Sequence, residues 1–184
     1  DECGAPIVSI PGGEPLLHKD IGEIVDGLIV RKKFVYLCTN ALLLEKKMDR
    51  FSPTPYLTFS IHLDGLREHH DQAVSQEGVF DKAVAAIRMA RKRGFRVTIN
   101  CTLFENADIK ETSEFFSFVC DDLDVEGITV APGYAYERAG DQEHFLIRTR
   151  TKQFFRDLLS LGEGRNWRFN QSTLYMDFLA GNQA

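Results

Sequence analysis

The chain has no closely spaced cysteines and no long apolar run, and each absence removes a class of protein. Its four cysteines stand at positions 3, 38, 101 and 120, so successive ones lie 35, 63 and 19 residues apart. That spacing offers neither a Cys-x-x-Cys metal clip nor the disulfide framework of a small secreted domain, and reduced thiols are expected. No stretch approaches the roughly 18 apolar residues of a membrane-spanning helix, and Asp1-Glu2-Cys3 does not read as a signal peptide. A cytoplasmic protein with no transmembrane segment is expected. An excess of positive charge is also missing: 22 basic residues face 27 acidic ones, for a net charge of −5. That balance argues against a general nucleic-acid surface. The basic clusters at 31–33 and 88–93 read as solvated helix ends, where cations complement the helix dipole. An initiator Met is lacking as well, and the start at Asp1 predicts a piece of a longer chain.

What is present is one core's worth of apolar sequence, 43% of 184 residues, arranged in alternation. Apolar, β-branched runs at 7–10, 34–38, 57–63, 95–103 and 127–131 predict strands, with a sixth near 167–170. Helical patterns at 20–30, 79–93, 110–120, 143–161 and 173–179 fill the gaps, the helix at 79–93 being stopped by Gly94. Serial βα units predict an α/β fold with a parallel sheet, open or barrel-like, in a single domain over 1–184.

Strand parity carries the functional signal, because alternate side chains point to opposite faces. Leu57, Phe59, Ile61 and Leu63 alternate with Thr58, Ser60, His62 and Asp64. Val97, Ile99, Cys101 and Leu103 alternate with Arg96, Thr98, Asn100 and Thr102. A parallel sheet covered on both faces reads as continuous Val, Ile and Leu, so a polar face requires a water-filled or ligand-filled interior. Ligand sites of parallel βα folds lie at the carboxyl ends of the strands. Five strand ends there carry Gly12-Gly13-Glu14, Thr39-Asn40, His62 with Asp64, Asn100 with Thr102, and Pro132-Gly133-Tyr134.

The first of these ends is the most informative. Adjacent glycines let backbone groups approach a ligand, Glu14 supplies an anionic acceptor, and Pro11 and Pro15 stiffen the loop. The set suits a bound ammonium group better than a phosphate, for which a Lys or a helix N-terminus would be wanted. The alternative is a plain βα turn made of good turn residues.

The ordered set Gly12-Gly13-Glu14-Pro15, Thr39-Asn40 and Leu63-Asp64-Gly65 resembles the radical S-adenosylmethionine superfamily over nearly the whole chain. Three longer segments resemble its hopanoid-biosynthesis branch, the adenosylhopane synthases: 3–15, Phe34-Val35-Tyr36-Leu37-Cys38-Thr39-Asn40, and Pro132-Gly133-Tyr134-Ala135-Tyr136-Glu137-Arg138. The resemblance implies a partial (β/α)6 TIM-like barrel whose first βα unit is missing from this chain. It implies S-adenosylmethionine and a 4Fe-4S cluster as cofactors, an electron donor such as flavodoxin or ferredoxin, and a hydrophobic triterpene substrate. A 5′-deoxyadenosyl radical would add to the alkene of a diploptene-like hopene, and such a substrate would bring the enzyme to the membrane periphery. Carried over by position, Gly12, Gly13 and Glu14, with Pro15 closing the motif, would hold the methionine amino group. Asn40, His62 and Asn100 would lie near the rest of the cofactor. His62 stands where many members have Ser, and its alternative is a histidine packed between strands. The chain departs from the family in lacking CxxxCxxC, whose thiolates bind the cluster; its scattered cysteines cannot replace the motif. The cluster's ligands are therefore expected outside this chain, and the isolated fragment is expected to be inactive.

Parity also singles out Cys38. Val35 and Leu37 form the apolar set of their strand, so Tyr36, Cys38 and Asn40 should face inward while Cys101 faces the helices. A thiol S–H is weak enough to give hydrogen to a carbon radical, and Cys38 is the expected hydrogen-atom donor; the alternative is a small buried hydrophobe. Cys3 and Cys120 read as structural. Phe115, Phe116 and Phe118 read as helix core, and His69-His70 as an exposed turn. Tyr134, Tyr136, Glu137 and Arg138 would shape a pocket or anchor a loop. Two other functions stay open: a metal-dependent βα-barrel hydrolase or isomerase using His62, Asp64 and His69 or His70 around a divalent ion, and a non-catalytic cofactor-binding domain.

Overall fold

The structure is a computed structural model that describes residues 4–133 and 147–182. Five strands form one sheet: β1 Ile7–Ile10, β2 Phe34–Thr39, β3 Leu57–His62, β4 Arg96–Leu103 and β5 Gly127–Pro132. All pairings are parallel and the strand order is sequential. An order without reversal has no switch point, which distinguishes it from a doubly wound sheet. Right-handed crossovers then put the helices that connect the strands on one side, as in a barrel cut open, and leave the other side without a helical layer from those connections.

The helices are α1 Ile21–Val30, α2 Leu44–Lys47, α3 Arg67–Ala73, α4 Val79–Lys92, α5 Ile109–Ser117, α6 Arg148–Leu161 and α7 Thr173–Leu179. The helix-side set of the strands, Val35, Leu37, Phe59, Ile61, Val97, Ile99, Ile128 and Val130, is buried completely or almost so. It packs in one core with Phe80, Ala83 and Ile87 of α4, Phe115 and Phe116 of α5, and Phe155 and Leu158 of α6. At about 25 cal/mol per Å² of apolar area, this shared layer is the main stabilising term of the fold.

The sequence expectations need three corrections. The helix expected over 110–120 ends at Ser117 and continues as a π-helical turn, Phe118–Asp122. His69 and His70 lie in α3 rather than in an exposed turn, and His70 is 1% exposed. The strand expected near 167–170 is a single bridge, Ile128 to Phe169. Its physical reason is visible at Gln171, whose side-chain oxygen accepts the Val130 N–H at 3.2 Å and so takes the place of a backbone rung. Cys3, Tyr134, Tyr136, Glu137 and Arg138 lie outside the described residues.

Candidate functional site

The carboxyl rim of the sheet is built first by Glu14. Its side chain accepts the Leu16 N–H at 3.0 Å, capping the short 3-10 helix Pro15–Leu17. Across the loop the same carboxylate accepts the Thr39 hydroxyl at 2.9 Å and the Asn40 N–H at 3.0 Å. Glu14 therefore ties the end of β1 to the end of β2, and three of the roughly four lone-pair positions of a carboxylate are used within the protein. Pro15 is buried behind the loop. Gly12 has φ +135°, open only to glycine, and a Cβ on Gly12 or Gly13 would meet no atom within 4 Å. The loop thus presents bare backbone to open space. Asn40 turns the chain after β2, its Oδ1 accepting the Leu42 N–H at 3.1 Å. The next residue, Ala41, is buried with φ +65°, a strained conformation of the kind that clusters at functional sites.

The free face of the sheet carries polar rows set by the strand register. Cys38 lies beside Ser60 and Ser60 beside Thr98; one step nearer the rim, His62 lies beside Asn100 and Asn100 beside Thr129. Cys38 is half-buried, with Sγ 3.4 Å from the Ser9 hydroxyl and 4.0 Å from its own strand's Tyr36 carbonyl. Cys101 is buried on the opposite, helix-covered face, where desolvation holds its thiol well above the ordinary range. Among the described residues the Asn100 carboxamide has no partner, while Asn170 Nδ2 donates to Thr129 Oγ1 at 2.9 Å. The Asn170 side chain occupies the space a Cβ on Gly127 would fill, so Gly127 lets it reach this face. Asn170 is the site neighbour that sequence reasoning missed, while His70, expected in an exposed turn or as a metal ligand beside His62, is buried against the site. Thr98 Oγ1 is buried on the polar face without a hydrogen-bond partner.

At the end of β3, His62 Nε2 is 2.8 Å from Asp64 Oδ2. The hydrogen bond to Asp64 raises the His62 pKa from its usual 6.5 against the opposing effect of burial. His70 is shifted the other way, lowered first by desolvation and then by the charge of His62. The two rings meet edge to face at 5.6 Å.

Bare backbone, one anchored carboxylate, two asparagines, hydroxyls and an imidazole fit a zwitterionic, hydroxyl-bearing group such as the expected S-adenosylmethionine. The expected iron–sulfur cluster is not served in the same way. Among the described residues no three His, Cys, Asp or Glu side chains gather to hold a metal ion. The thiols of Cys38 and Cys101 lie on opposite faces of the sheet, and Cys120 sits in the π-helical turn.

Comparison with known proteins adds to this geometry. The family described as the Radical SAM superfamily matches residues 2–119, and a domain of unknown function, DUF3463, matches 128–184. GTP 3′,8-cyclase of Listeria welshimeri is 33% identical over 135 residues, which is 71% of this chain and 40% of that protein. Fe-coproporphyrin III synthase of Methanosarcina barkeri is 27% identical over 101 residues, 54% of this chain and 25% of that one. The chain thus spans about 40% of the length of the first curated relatives it matches. In fold it is similar to Streptococcus suis SuiB bound to S-adenosylmethionine, at TM-score 0.72 and 19% identity over 97% of this chain and 42% of that one. The five-stranded parallel half-barrel, its polar rim and the matched family model lead to one conclusion: the chain belongs to the Radical SAM superfamily, whose cofactors are S-adenosylmethionine and a 4Fe-4S cluster.

Proposed function

We propose that the chain is the core, over 1–184, of a radical enzyme that joins an adenosyl group to the alkene of a hopene, with Cys38 as hydrogen donor. In this reading Gly12, Gly13, Glu14 and Pro15 hold the methionine end of the cofactor, and Asn40, His62 and Asn100 hold the rest. When bound, S-adenosylmethionine supplies the 5′-deoxyadenosyl group as a radical. Its addition to the alkene would leave a carbon radical for the residues of the free face to meet. There the Cys38 S–H bond would break as a C–H bond forms, and the thiyl left behind would take one electron from a donor of the flavodoxin or ferredoxin kind and one proton from water, restoring the thiol. The observation that supports this is the placement of Cys38, whose thiol faces the polar interior beside Ser9 while the thiol of Cys101 is buried on the covered face. No helix among the described residues is long and apolar enough to cross a membrane.

The test is Cys38→Ala in the full-length, cluster-loaded enzyme. We expect cofactor cleavage to persist and the hydrogen-quenched adduct to give way to other products of the same carbon radical; an unchanged product removes Cys38 from the mechanism. Cofactor binding with no turnover of any substrate in the full-length protein would instead support a non-catalytic domain. A second reading, radical cyclisation of a purine nucleotide, draws on the similarity to GTP 3′,8-cyclases and on a free face rich in Ser, Thr, Asn and His. Incubation with GTP in place of a hopene separates the two.

A further inference from the structure

We propose that Asp64 is a positioning residue that claims Nε2 of His62, leaving Nδ1 as the ring atom that meets a bound ligand. This rests on the reading of His62 as a cofactor contact and specifies which atom makes it.

The geometry argues for a fixed carboxylate. Its Oδ2 lies 2.8 Å from His62 Nε2, and its Oδ1 accepts the Thr102 N–H on β4 at 2.8 Å. With both oxygens engaged, one by a backbone group of the neighbouring strand, the carboxylate cannot turn away from the ring. Its own backbone is held as well, because the Asp64 N–H donates to Nδ1 of His70 at 3.3 Å, and His70 is 1% exposed. Asp64 retains only 4% of its side-chain exposure, whereas His62 retains 39%. The open edge of the His62 ring is therefore the one Asp64 does not hold.

A carboxylate only accepts, so Nε2 must be the donor in either charge state of His62. The neutral ring then offers Nδ1 as an acceptor, suited to a ribose hydroxyl; the charged ring offers Nδ1–H, suited to a carboxylate. The groups packed around it are Asp64 beyond the end of β3, His70 on α3, and the neutral Asn100 on β4. His69 and Asp71 of α3 act on His70, which remains neutral while its Nδ1 accepts from Asp64. One imidazole thus meets the interior, backed by one carboxylate.

The experiment measures equilibrium affinity for S-adenosylmethionine by calorimetry on the full-length enzyme, with the His62 titration followed by NMR. His62→Asn places an amide where Nδ1 lies and His62→Gln places one where Nε2 lies, so His62→Asn should bind about tenfold more tightly than His62→Gln. Asp64→Asn should bring the titration of His62, and with it the pH at which affinity changes, down toward the ordinary histidine range. Equal or tighter binding by His62→Gln, or an Asp64→Asn titration that stays at the wild-type position, overturns the assignment. Should Asp64→Asn fail to fold, the Asn and Gln variants decide alone. If His62→Ala leaves affinity unchanged, the reading of His62 as a cofactor contact falls, and that outcome is distinct from the other two.

Discussion

Two histidines 5.6 Å apart are pushed in opposite directions, and the stability of the protein should record both. His62 has a raised folded pKa, so it contributes stability fully below the unfolded value of about 6.5, and loses it as pH rises through the raised value. His70 has a lowered folded pKa, so its contribution is complete above about 6.5 and is lost as pH falls through the lowered value. Together they predict a stability maximum near pH ~6.5, with an acid limb that His70→Gln flattens and an alkaline limb that His62→Gln flattens. Urea denaturation at several pH values checks this, and limbs indifferent to both variants would contradict it. At this scale sequence parity was informative for Cys38, because a strand's two faces follow from a period of two. It was blind to His70. In Arg67-Glu68-His69-His70-Asp71-Gln72 every neighbour is polar, and it is the contacts of His70 with His62 and with Asp64 beyond the end of β3 that make this position interior.

Among the elements, α4 shows how a distant carboxylate can start a helix. Its first flanking residue is Gly78 in the left-handed region, which has no side chain with which to cap. Asp71, from α3, accepts the Phe80 N–H at 2.8 Å and the Gly78 N–H at 2.6 Å instead. These backbone donors, led by Phe80, lower the Asp71 pKa; the cap is therefore complete above the usual carboxylate range and is lost as pH falls through the lowered value. We expect Asp71→Ala to speed amide exchange at Phe80 with little effect at Ile99 in β4; unchanged exchange at Phe80 would show the cap to be dispensable. The helix itself was legible, since Phe80, Ala83, Ile87 and Ala90 recur at helical spacing and Gly94 stops the chain with φ +82°. Its partner α3 was not, because seven largely polar residues carry no apolar stripe. The single bridge at Phe169 was overestimated for the opposite reason: Trp167 and Phe169 look like strand residues, but their rings pack with Phe116 in edge-to-face contacts near 5.5 Å.

Seen whole, the molecule joins a segment matched by one family model to a segment matched by another, and the join runs through the sheet. The Radical SAM match ends at residue 119 and the second match begins at 128, yet β5 pairs along its length with β4. Phe116 of α5 packs on Trp167 and Phe169, and Trp167 Nε1 donates to the Ser117 hydroxyl at 3.0 Å. The parallel architecture was legible from serial βα patterning, and the polar lining from strand parity; what fills the interior was not, because hydroxyls, amides and an imidazole accept many ligands. The shared core predicts that neither segment melts alone. Trp167 is the chain's single tryptophan, so its fluorescence reports on the second segment, while circular dichroism reports on every helix. In thermal unfolding the two signals should share one midpoint, and Phe116→Ala, which opens a cavity under Trp167 at a cost of about 3–5 kcal/mol, should lower both together. A tryptophan transition that precedes the helical one would make residues 128–184 a separately folding unit docked on the half-barrel.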